Sequence, residues 1–85
     1  MHRVIVDRKR YLNVNKIVHY TGAAYTVEVP YQLYQWLDAN VGTIAKTSYG
    51  LSSERPWIAF DKPFGQIEII FWNLKDSVLF KLTLG

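Results

Sequence analysis

Residues 66–72, QIEIIFW, restrict the possible folds of this chain more than any other stretch. Three isoleucines and two large aromatics fall within seven positions, a Pro-Phe-Gly turn precedes them, and Asn73 follows. That composition belongs to a central strand. Side chains alternate along a strand, so Ile67, Ile69 and Phe71 make one wholly apolar face, whereas Gln66, Glu68, Ile70 and Trp72 make a half-polar one. The first face needs a core, and the second is expected to be only partly covered.

At 85 residues the chain makes one domain, close to the size at which a single core is only just sufficient. It has no cysteine, which excludes a disulfide framework and a thiolate zinc site and is compatible with a reducing cytosol. Nearly half of the residues are apolar and 15% are aromatic, enough to fold. No apolar run reaches about 18 residues and the N-terminus is charged, so neither a membrane span nor a signal peptide is expected, and a cytoplasmic location is. The net charge of +3 is uneven: Arg3, Arg8, Lys9, Arg10 and Lys16 face only Asp7 in the first 16 residues. The basicity is local.

Taken in order, residues 3–7 (RVIVD) read as a first strand, and Arg8, Lys9 and Arg10 follow as three adjacent cations. These form either a solvated turn or a contact for phosphate or an acidic surface. Residues 11–29 read as a hairpin turning at Thr21-Gly22-Ala23-Ala24, with a helix as competitor in its first half. Residues 30–41 are the best helix: Pro30 opens it, Leu33, Trp36, Leu37 and Val41 share one face, and Gly42 ends it. Its start lacks a good cap. Residues 43–48 could be a strand, and residues 49–56 form an exposed loop in which Tyr49, Leu51 and Arg55 are binding candidates. Residues 57–60 make a strand that returns through the turn 61–65 into the central strand. Residues 74–84 are ambiguous: Val78, Phe80, Leu82 and Leu84 alternate like a strand, but Leu74, Val78, Leu79 and Leu82 also share a helical face.

That ending, an apolar strand, a polar turn with Asp76 and then Val78-Leu79-Phe80-Lys81-Leu82, resembles the closing pattern of small uncharacterised proteins of tailed bacteriophages. The resemblance covers about the last twenty residues and departs at Leu84, where tryptophan would be expected. It implies a short helix at about residues 75–82 and a viral setting, with the host cytoplasm as location. It carries no functional residues. The expected architecture is therefore α+β, a mainly antiparallel sheet of about five or six strands, with the helix 30–41 on one face and a short helix or final strand at the C-terminus.

Catalysis has little to work with. His2 and His19 have no paired carboxylates or metal-ligand spacing, and the five glycines stand singly. No catalytic residue, metal ligand or cofactor is expected. Binding is the better class. The tyrosines 11, 20, 25, 31, 34 and 49 exceed what a small core can satisfy, which favours a protein partner, such as a host enzyme or defence component that a phage protein would inhibit. A minor virion component fits the same residues. Single-stranded nucleic acid is the alternative, held by the basic segment and an aromatic sheet face. The candidate contacts are Arg8, Lys9, Arg10, Tyr34, Tyr49, Arg55 and Trp72, and an exposed sheet edge allows self-association.

Overall fold

The computed structural model describes residues 2–11, 17–21 and 26–84, with the side chains of 17–21 left aside. In chain order its elements are β1 (His2–Asp7), a 3-10 turn (Arg8–Tyr11), β2 (Ile17–Thr21), β3 (Thr26–Pro30), α1 (Tyr31–Asn40), a 3-10 turn (Ser48–Gly50), β4 (Trp57–Lys62), a short turn (Pro63–Gly65), β5 (Gln66–Phe71) and α2 (Leu74–Thr83).

The isoleucine-rich run is the central strand. β5 pairs antiparallel with β1 on one side and β4 on the other, so Ile69 stands between Val4 and Ala59. Alternation then sorts the side chains: Val4, Val6, Trp57, Ala59, Ile67, Ile69 and Phe71 are buried in one core with Leu33 and Leu37 of α1, Phe80 of α2 and Val27 and Val29 of β3. Phe80 lies 5.6 Å from Phe71 and 5.7 Å from Trp36, and Tyr34 meets Trp57 edge-on at 5.6 Å. Such offset and edge contacts suit the charge distribution of aromatic rings. Trp57 is the largest fully buried side chain, and its indole Nε1–H donates to the Gly42 carbonyl at 2.7 Å. Gly42 itself has φ +140, and a Cβ there would lie 3.0 Å from Pro56 Cγ. Only glycine suits that turn.

The sheet does not have five or six strands. Three strands form one antiparallel sheet, and β2 and β3 form a separate two-stranded ribbon. The edge of β4 that the ribbon would need is taken at its start by residues 44–45: Ile44 makes a parallel bridge to Trp57, and Ala45 N–H donates to the Trp57 carbonyl at 2.7 Å. β3 therefore contributes Val27 and Val29 to the core without joining the ladder. That single bridge is all that becomes of the strand expected at 43–48. Residues 22–25 of the expected hairpin, which hold most of its turn, and residues 12–16 of its first arm lie outside the described residues.

α1 begins one residue later than expected. Pro30 is its cap rather than its first residue, and no side chain caps it. Leu33 and Leu37 are buried, with Trp36 and Val41 packed at the margin, as the spacing predicts. The C-terminal segment is helix rather than a final strand. The second face of β5 is better covered than its polarity suggests. Ile70 joins Ala45, Leu51 and Ile58 in a second small core, and Glu68 is buried with Lys62 Nζ at 3.6 Å.

Candidate functional site

α2 sits on the core face of the sheet, against β1 and β5. Its inward row is Ser77 and Phe80, both buried, with Leu84 packed beside them just past the helix end. Ser77 satisfies its own hydroxyl by donating to the Leu74 carbonyl at 2.7 Å. These positions fall at i, i+3 and i+7, so they fix which way the helix faces. Leu74, Val78 and Leu82, at i, i+4 and i+8, form a row on the outward side with Leu79 next to it, and all four are exposed; Leu82 is 81% open to solvent. The helix thus buries a serine and displays its aliphatic side chains. Lys75 and Lys81 lie on either side of the exposed row, one residue after Leu74 and three after Val78.

Both ends of α2 are tied to residues singled out by the sequence. Trp72, 45% exposed, stands two residues before it and is held by its N–H donating to the Pro56 carbonyl at 2.8 Å. At the other end Tyr11 is buried and its hydroxyl donates to the Leu84 carbonyl at 2.7 Å, which brings the cationic 3-10 turn Arg8–Tyr11 to the C-terminal end of the helix. Burial pushes the Tyr11 phenol above its ordinary value, and the neighbouring Arg10 charge draws it back by less. Within the turn, Arg8 is ion-paired to Asp61 and partly buried, whereas Lys9 and Arg10 are exposed. The Lys9 backbone N–H is accepted by Asp7 at 3.0 Å.

The other candidates fall elsewhere. Tyr34 packs on Trp57 and is half-buried. Arg55 donates from its guanidinium to the Ile44 carbonyl at 3.0 Å, latching the loop 49–56, and Leu51 from the same loop is buried. Tyr49 is 99% exposed on its 3-10 turn. Phe64, which the sequence reading passes over as part of a turn, is 96% exposed with a left-handed backbone, φ 65 and ψ 29. A bulky aromatic between Pro63 and Gly65 was the signal for it.

Among the described residues no group of three His, Asp or Glu side chains is placed to hold a metal ion. No helix among them is long and apolar enough to cross a membrane. No family model, curated protein or solved structure matches this chain.

Proposed function

We propose that this chain is a non-catalytic protein-binding module that docks through the outward row of α2. The observation carrying this reading is that Leu74, Val78, Leu79 and Leu82 are exposed together on one helix whose buried side is held by Phe80. An aliphatic helical row with anchors at i, i+4 and i+8 suits an apolar groove. The lysines 75 and 81 beside the row, and Lys9 at its C-terminal end, make the matching groove one rimmed by carboxylates. The resemblance of this same segment to small phage proteins makes a host enzyme or defence component the partner class, with inhibition by occupancy as the mechanism.

The test is size exclusion with light scattering, on the protein alone and with host lysate, at about 0.15 M and 1 M salt. The expected complex survives high salt and is lost in the Val78→Glu/Leu82→Glu variant, which melts as the parent does. A complex that persists in that variant removes α2 from the interface. A stripe-dependent dimer of the protein alone would replace the host partner with a second copy. Binding of a single-stranded oligonucleotide that disappears at 1 M salt would support the nucleic-acid alternative instead.

A further inference from the structure

The face of the sheet turned away from α2 carries a pocket of about 340 Å3, lined by Arg3, Ser48, Leu51, Ile58 and Ile70. The register shows how it is built. Arg3 on β1, Ile70 on β5 and Ile58 on β4 stand side by side in one row across the three strands. Ile58 and Ile70 are buried and form the floor, and Leu51 walls it from the loop that Arg55 latches. Ser48 opens the 3-10 turn at the rim. The volume lies near the lower limit of about 300–1,000 Å3 at which small-molecule pockets occur.

The pocket combines an aliphatic floor with one uncommitted cation. Among the described residues the Arg3 guanidinium has no carboxylate partner. The nearest acidic position in the register is Glu68, two residues from Ile70 along β5, and it is occupied by Lys62 at 3.6 Å. The site therefore presents a net positive charge beside apolar surface. A guanidinium fork matches a carboxylate with two parallel hydrogen bonds, and the floor excludes water on one side of that pair.

We infer that this pocket binds a small hydrophobic carboxylate, with the acid on Arg3 and its branched or aromatic body against Ile70 and Leu51, which the fully buried Ile58 backs. The Ser48 hydroxyl at the rim supplies a further donor. This chemistry is shared by a free organic acid and by the C-terminal residue of a peptide. The site is separate from the α2 row, on the opposite face of the sheet, so either can fail without the other.

The test is a titration followed by amide NMR shifts of Leu51, Ile58 and Ile70, with phenylacetate and with a short peptide ending in phenylalanine, each against its amide. Saturable shifts at these three residues are expected, with the acids binding about tenfold tighter than the amides, the size of one charge-assisted bond pair. Arg3→Gln should bring the acids down to the amide level, and Arg3→Lys should fall between, because it keeps the charge and loses the fork. Binding of phenylacetate alone assigns the site to free acids; binding of the peptide acid alone assigns it to chain termini. Equal affinities for acid and amide, unchanged binding in Arg3→Gln, or no saturable shift would overturn the inference.

Discussion

Phe64 occupies a backbone region that costs an L-residue roughly 1–2 kcal/mol, and its ring has no packing to offset that cost. With Gly65 at φ +73 and Gln66 N–H donating to the Pro63 carbonyl, the turn has the two positive φ angles of a hairpin turn that prefers Asn-Gly. Phe64→Asn should therefore raise the melting temperature by about 4–8 °C, the shift that about 1 kcal/mol gives in a domain of this size. A fall on thermal unfolding would mean the ring makes contacts that its exposure does not reveal. Tyr11 makes the opposite kind of contribution. Its phenol is held above the ordinary value near 10, so the folded state keeps the proton longer than the unfolded chain does. The stability this contributes is fully present below about pH 10 and is lost as pH rises through the folded value. Denaturant titrations from pH 8 to 11.5 should show that alkaline loss in the parent and a flatter profile in Tyr11→Phe. At neutral pH the variant should be less stable by about 1 kcal/mol, for the bond to the Leu84 carbonyl.

At the scale of elements, α2 divides its residues into those that hold it and those that do not. Phe80→Ala, which empties the contact with Phe71 and Trp36, should cost about 3–5 kcal/mol, whereas Val78→Glu/Leu82→Glu should stay within about 0.5 kcal/mol of the parent in urea. A large loss in the second variant would place the row in the core. This helix also marks the limit of what periodicity can say. Leu74, Val78, Leu79 and Leu82 have the spacing of a buried face, yet the helix turns them outward because Phe80 fits between Phe71 on the preceding strand and Trp36, which is distant in sequence. β5 and α1 were legible because their own alternation and stripe decide which side is buried. The number of strands in the sheet was not, since alternation in 26–30 says that Val27 and Val29 are inside but not whether that strand pairs with β4. Among the candidate residues, Trp72, Lys9 and Arg10 lie at the ends of α2, while Arg55 and Arg8 are engaged in holding loop and turn. A side chain's charge is visible in a sequence; its partner across 53 positions, as for Arg8 and Asp61, is not.

In the whole molecule the proposed interface gives the cations and the apolar row different roles. Lys9→Ala/Lys75→Ala/Lys81→Ala, three exposed cations, should slow association with the proposed groove partner by up to about tenfold and flatten its salt dependence, with dissociation little changed, as rim charges act on encounter. Stopped-flow kinetics at two salt concentrations would show it. Faster dissociation would instead put these residues inside the contact. The pairing of β1 with β5 also governs the order in which the molecule can be assembled. The two strands are separated by about sixty residues, so β1 leaves the ribosome roughly 3–12 s before β5 at an elongation rate of about 5–20 residues per second. β4 and β5, joined by one turn, can close within about 1–10 μs of being made. β1 is made well before its partner strand, and until β5 follows Val4 and Val6 have no sheet to cover them. A chaperone that holds the nascent N-terminal segment would therefore act on β1, and a ribosome that stalls before residue 66 would release a chain with an unpaired, adhesive edge.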